Sequence, residues 1–290
     1  MSFQTKLSSG EFAVLAEVDT PKGIDISDLV TNVRHLKSRV DAVVIPDMDN
    51  GVMHLSALGS GALIRQQGLE PMIHAYGRDR NRMALQGDLL SSHVMGIHNI
   101  LVVQGEAMIN GDHQDAKTVD DLDEMGILEA INSLNQGKDM AGFELKGKPE
   151  LFAGCAVPPI SDEAQIDLEV QSAQAKVKAG AKYIVLQPVF DTVFYKQIIN
   201  AFKTLNVPVI ASVFLLKNVG MARYISINDP SSRLFEDVIK RIRKSTDREK
   251  ECIAIAGEMA KSLKETAQGI KISALGWEDR LPAILDSAGL

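Results

Sequence analysis

The sequence predicts an α/β fold, a (β/α)8 barrel of the TIM type formed as a single domain over residues 1–290. Three observations carry that prediction. Short apolar runs recur eight times along the chain. Each is followed by a polar or Gly-rich turn and then by a stretch with helical spacing, the pattern of a mainly parallel sheet. Neither GxGxxG after the first strand nor GxxxxGK[ST] anywhere is present, so the usual cues for an open nucleotide-binding sheet are missing.

In order, the strands are expected at 12–18, 42–46, 71–75, 99–104, 151–156, 182–187, 207–213 and 269–273. Each is short, apolar and bounded by turn-forming residues. Helices that place apolar residues on one face are expected at 26–36, 56–67, 80–95, 119–134, 163–178, 191–204, 249–266 and 277–287. Two segments depart from the repeat. INGDHQDAKT (109–118) reads as a long loop on the active face, and GKDMAGFELKGKP (137–149) as a small hairpin or an irregular return. The charged run 229–247 reads as a solvated helix plus connector.

Composition narrows the function classes. Thirty-one Lys+Arg against 38 Asp+Glu give a net charge of −7, which supplies no chain-wide electrostatic grip on nucleic acid or an anionic membrane. No apolar run suggests a membrane span, and Glu11 and Glu17 interrupt what would be a leader's apolar core. Cys155 and Cys252 are too far apart in sequence for a CxxC site. A reduced, cytoplasmic setting is therefore expected. The histidines His35, His54, His74, His93, His98 and His113 form no HExxH, and no GxSxG nucleophile elbow occurs. No metal is expected.

In such a barrel, the C-terminal ends of the strands form the active face. Glu17 closes the first strand, where burial would raise its pKa and suit it to general acid work; an ion pair at the core edge is the alternative. Glu106 follows the fourth strand and Gln187 closes the sixth. Two carboxylates and an amide converging over one ligand suit a polar heterocycle. His74 ends the third strand, followed by Arg78, Asp79, Arg80 and Arg82 at a helix start. That arrangement suits a phosphate-bearing ligand or, alternatively, salt bridges that staple neighbouring elements, with Asp79 or Asn81 capping the helix.

GRDRNRMALQGDLLSSHVMGIHNILVVQGE (77–106) resembles the signature stretch of the methylenetetrahydrofolate reductase family. The resemblance continues through the strand ending in Glu17, GDHQDAKTVDDLD (111–123), AKVKAGAKYIVLQPVFD (175–191), NVPVIASVFLLKNVGMARYI (206–225) and IKISALGWEDRLPAILDSAG (270–289), in the family's order. It implies a flavin-containing barrel that reduces 5,10-methylenetetrahydrofolate to 5-methyltetrahydrofolate, with FAD, or alternatively FMN, as cofactor. Hydride passes from a reduced nicotinamide to the flavin and then to the folate, both partners using one flavin face in turn.

The same resemblance implies residue roles. Glu17 matches the general acid that protonates the folate bridge nitrogen, and Gln187 the glutamine that hydrogen-bonds the pterin. His74, Arg78, Asp79 and Arg80 match the stretch around the flavin; Asp112, His113, Ala116 and Lys117 match the loop over its far end. Lys176 or Lys178 stands at a further cofactor-side position. Glu106, after Gly105, stands where many family members have an aspartate near flavin N1 and the pterin, and Val219 stands where an aromatic often stacks on nicotinamide. These departures weaken the expectation of direct NAD(P)H use and admit a redox partner subunit within an oligomer. A pterin-binding methyl-transfer barrel without flavin and a noncatalytic folate- or flavin-binding subunit are the alternative readings.

Overall fold

A computed structural model describes all 290 residues of the chain. Eight parallel strands close into a barrel in sequence order, β1 (Ala13–Glu17), β2 (Ala42–Ile45), β3 (Pro71–Ala75), β4 (Asn99–Val102), β5 (Phe152–Ala156), β6 (Ile184–Leu186), β7 (Val209–Phe214) and β8 (Gly269–Ser273). Closure is explicit in the register, where Leu15 pairs with both Ala42 and Lys271. All eight predicted strands are present, with frayed ends trimmed by a residue or two.

Alternation along each strand sorts side chains to two sides. Val14 and Ala16, Val43 and Ile45, and Ile270 and Ile272 belong to the large apolar layer that packs under the helices. Ala13 and Leu15, Ala42 and Val44, Met72, Leu101, Phe152 and Tyr183 fill the barrel interior. A helix absent from the sequence expectation, α1 (Phe3–Ser8), plugs the N-terminal end of that interior. Phe3 meets Phe152 and Tyr183 edge-on, with ring centroids 6.0 and 5.6 Å away. Gly154 is required there, because a Cβ would stand 2.3 Å from the Tyr183 ring.

The outer ring holds α2 (Ser27–His35), α3 (Ala57–Gln66), α4 (Arg82–Val94), α5 (Glu124–Asn135), α6 (Glu163–Ala179), α7 (Thr192–Phe202), α8 (Val219–Asn228), α9 (Glu236–Lys244), α10 (Arg248–Leu263) and α11 (Leu281–Ala288). Side-chain oxygens of Ser56, Asn81, Asp123, Asp162, Asp191, Asn218 and Asp247 accept backbone N–H bonds at the starts of α3 to α8 and α10. Such caps fix where each helix leaves its loop. The helix expected from 119 begins only at Glu124, because the N–H groups of Val119 and Asp120 donate to the Arg78 carbonyl instead. That crossing segment passes so close to Gly77 that a Cβ there would overlap the Leu122 carbonyl.

The charged run resolves into α9 and its connectors; Arg241 reaches Glu251 and Glu258 on α10. Segment 137–149 closes a small hairpin through an antiparallel bridge between Lys138 and Glu144. No helix is long and apolar enough to cross a membrane.

Candidate functional site

The alternation that builds the core also builds the mouth. Continuing the inward set of each strand to its C-terminal end brings Glu17, Pro46, His74, Val103, Ala156, Gln187 and Lys271 around one cavity, joined by Asp19, Asp49, Asn50, Gly105, Glu106, Glu124 and Leu275 from the loops. The cavity holds about 590 Å³. That lies within the roughly 300–1,000 Å³ of ligand pockets.

Glu17 is held from both oxygens. Lys271 Nζ donates to Oε2 at 2.5 Å, and Ser273 Oγ to Oε1 at 2.6 Å. The β1/β8 register sets this contact, since pairing Ala16 with Ile272 puts Glu17 level with Ser273 and one layer above Lys271. Burial pushes the Glu17 carboxyl up, yet the Lys271 ammonium, the His74 ring and the two hydrogen bonds more than offset it, leaving it below the ordinary glutamate value. The expectation that burial raises this carboxyl's pKa is thereby corrected in sign, because the cation and donors around it outweigh burial. The ion-pair alternative is met by a lysine. A lone charge in GIKIS, at the inward parity of an otherwise apolar strand, was the available signal for Lys271.

Across the mouth, His74 Nδ1 lies 3.1 Å from Asp49 Oδ1. Its side chain is 8% exposed, and Nε2 has no protein partner. A carboxylate on one ring nitrogen fixes the imidazole's orientation and leaves the other nitrogen for a ligand. Burial raises the Asp49 carboxyl, but His74 and backbone donors outweigh that and keep it below the ordinary aspartate value. Asp19, two residues beyond Glu17 and of the same parity, is half-buried in the same mouth. Burial first, then Glu17 and Glu278, push its carboxyl up to about 6.

Each arginine of the 78–82 segment is paired with a carboxylate of the protein. Arg78 uses all five of its N–H donors, two on Asp79 at 2.7 and 2.8 Å and three on the carbonyls of Met48, Asp49 and Glu106 at 2.6–3.1 Å. It ties the loops after β2 and β4 together. Arg80 bridges Asp47 and Asp88, and Arg82 pairs with Asp121. These contacts are those of the stapling alternative, and Arg78 has no N–H donor left over. Asn81 caps α4, whereas Asp79 holds Arg78 and the Tyr76 hydroxyl.

Glu106 reaches the mouth with an exposed side chain, its own N–H bonded to the Asp49 carbonyl. Gly105 packs so tightly on Tyr76 and Arg78 that a Cβ would sit 3.1 Å from each. Gln187 stands where the mouth meets a second, apolar cavity of about 210 Å³ lined by Pro158, Pro159, Phe190 and Ile225. Lys176, not Lys178, turns inward; its Nζ binds Glu124 at 2.7 Å and is otherwise enclosed. Asp112, His113, Ala116 and Lys117 lie on the exposed loop beside the mouth, where Asp112 pairs with Lys22 and His113. Val219 begins α8 and packs against the outer core. No group of three or more His, Cys, Asp or Glu side chains has a metal-holding arrangement. Sequence reasoning missed Asp19, Asp49, Glu124 and Lys271, because each gains its meaning from elements distant in the chain.

Solved structures similar in fold include tryptophan synthase from M. tuberculosis, in a ligand-free mutant form, at 12% identity, TM-score 0.53 and 99% and 96% coverage of the two chains. An F420-dependent secondary alcohol dehydrogenase in complex with an F420-acetone adduct aligns at 11% identity and TM-score 0.59, covering 96% of this chain and 99% of that one. At these identities, the likeness concerns the barrel alone. No curated protein matches the sequence significantly. The family model described as methylenetetrahydrofolate reductase matches residues 2–289, and with nearly the whole barrel and its mouth inside that match, the chain belongs to the methylenetetrahydrofolate reductase family.

Proposed function

We propose that this chain reduces 5,10-methylenetetrahydrofolate to 5-methyltetrahydrofolate with a bound flavin, FAD in the first instance. The observation that carries the reading is the convergence, in one cavity, of a donor-held carboxylate (Glu17), an oriented imidazole with a free nitrogen (His74) and an exposed amide (Gln187). The residues present fit a flavin. The buried, unpartnered His74 Nε2 offers a hydrogen bond to a heterocycle, and Gly105, Glu106 and Gln187 line the same cavity. His74, Gly105 and Glu106 would hold the ring; Asp112, His113, Ala116 and Lys117 would line its far end. A bound flavin supplies two-electron hydride chemistry.

The chain's own groups divide the remaining work. Gln187, with both donor and acceptor, orients the pterin edge. Glu17, fixed by Lys271 and Ser273, would serve as the general acid at the folate bridge nitrogen as the five-membered ring opens to an iminium. Arg78 works at one remove, holding the backbone of Asp49 and Glu106 in place. Lys176 likewise positions Glu124.

Electron delivery is proposed to come from a partner protein or a low-potential donor in preference to NAD(P)H, because Val219 offers no aromatic face for nicotinamide. Visible spectra test the whole reading. Flavin bands that bleach with reduced donor and recover on adding methylenetetrahydrofolate are expected; a colourless chain that takes up neither FAD nor FMN would move it to a pterin-binding or accessory barrel. Glu17→Gln should leave flavin reduction nearly intact and slow folate reduction by about 100-fold or more. Equal losses in both half-reactions would remove Glu17 from the folate step.

A further inference from the structure

The mouth suits a polar heterocycle, but it offers little to an aromatic ring carried on one. Five carboxylates line it, those of Glu17, Asp19, Asp49, Glu106 and Glu124, and no Phe, Tyr or Trp does. The second cavity, set between β6, β7, α7 and α8, has the opposite character. Phe190, Tyr195 and Phe214 line it, and Asp229 is its one charged residue. Pro158, Pro159 and Gln187 belong to both linings, so the two spaces adjoin at the amide that the reductase reading gives to the pterin.

This second space is built to stay open. Packed interiors leave few voids larger than a water molecule, whereas this one holds about 210 Å³. An apolar cavity of roughly 150 Å³ is enough to admit a benzene ring. Its walls are tied in place: the Phe190 N–H donates to the Ser232 carbonyl at 2.7 Å, and the Tyr195 hydroxyl accepts from the Ser212 N–H at 2.7 Å. Pro158, Pro159 and Pro188 bring no N–H to the lining, so the backbone at those positions leaves no donor unpaired against it. The far end reaches the exposed Asp229, which gives a substituent on the ring a way out to solvent.

We propose that this cavity seats the aryl ring that the folate carries on its bridge nitrogen, while the pterin stays among the carboxylates of the mouth. The inference rests on the reductase reading. A pterin's side arm leaves from the carbon beside N5, so an amide that holds the N5 edge also stands at the start of that arm. Burying the ring removes apolar surface from water, a gain open only to a ligand that carries one. The cavity therefore selects the aryl-bearing folate over a bare pterin. A mere packing void would bear on stability and leave that choice untouched.

Calorimetric titration of the flavin-loaded full chain tests this with 5-methyltetrahydrofolate and with 5,6-dimethyltetrahydropterin, the same reduced heterocycle without the aryl arm. The wild type should bind the folate about 30- to 100-fold more tightly. Ile225→Phe, which fills the cavity from α8, should bring that ratio to within about threefold by weakening the folate alone. Ile198→Phe fills it from α7 and replaces the first variant if that one does not fold. A folded, filled variant that keeps the wild-type ratio overturns the proposal. So does a wild type that binds both compounds equally, and in that case the reductase reading stands. A wild type that binds neither overturns the reductase reading and the aryl seat with it. Benzene added to protein labelled with ¹³C at the isoleucine δ1 methyls gives a readout independent of folate: it should shift Ile198 and Ile225, and the Ile198 shift should vanish in I225F. Unmoved methyl resonances in the wild type mean that the space admits no ring, which overturns the proposal whether or not folate binds.

Discussion

Two charged regions share the C-terminal face of the barrel, and they differ in how completely their charges are consumed. Around Arg78, Arg80 and Arg82, each guanidinium meets a carboxylate, and Arg78 adds three loop carbonyls. Around Glu17, the pairing stops short: Asp19 lacks a partner and His74 Nε2 is free. Cation count therefore misleads as a guide to ligand binding. A side chain whose donors are spent on the protein is framework, and one buried with capacity left over is available for chemistry.

The largest expected effect breaks the framework side. Arg78→Met strips the Asp79 carboxylate and the carbonyls of Met48, Asp49 and Glu106 of a buried common donor. Removing one partner of such a buried set costs about 3–5 kcal/mol. Chemical denaturation should show that loss, together with loosened loops after β2 and β4. A near-neutral result would mean that these loops are held by other contacts.

A smaller loss, about 1–3 kcal/mol near neutral pH, is expected for Lys271→Met, which takes one of its two donors from the buried Glu17 carboxylate. Its pH dependence has a definite sign. In the wild type, Glu17 titrates below its ordinary value, so its contribution is present above the unfolded glutamate pKa and is lost as pH falls through the folded one. The gap between wild type and K271M should therefore be widest at neutral to alkaline pH and narrow towards acid. A gap independent of pH would assign Lys271 a packing role instead. The smallest effect belongs to Arg82→Ala. Arg82 and Asp121 form an exposed pair, and loss of an exposed ion pair should leave the thermal midpoint essentially unchanged.

Much of the fold was legible because barrel strands and helices advertise themselves locally. Runs such as AVVI (42–45) and IVL (184–186) are apolar on both faces, and capping residues such as Asn81 and Asp123 lie within a few positions of the helices they start. The plug was not legible: FQTKLS is a short helix, and its Phe3 and Leu7 make sense only against Phe152 and Tyr183 far along the chain. Glu17, Glu106, Gln187 and His74 were found because a polar residue ending an apolar strand is a local anomaly. Lys176 could be separated from Lys178 only by seeing which one turns towards Glu124.

The sequence by itself determined the repeat, the barrel and the family, since periodicity and motif order are properties of neighbours along the chain. Only the tertiary structure decided which charges are free. Pairing Glu17 with Lys271, His74 with Asp49 and Arg80 with Asp47 depends on strand register and loop crossing. A carboxylate's proton affinity is set by whatever charge and burial the fold brings within a few ångströms, wherever those groups lie in the sequence.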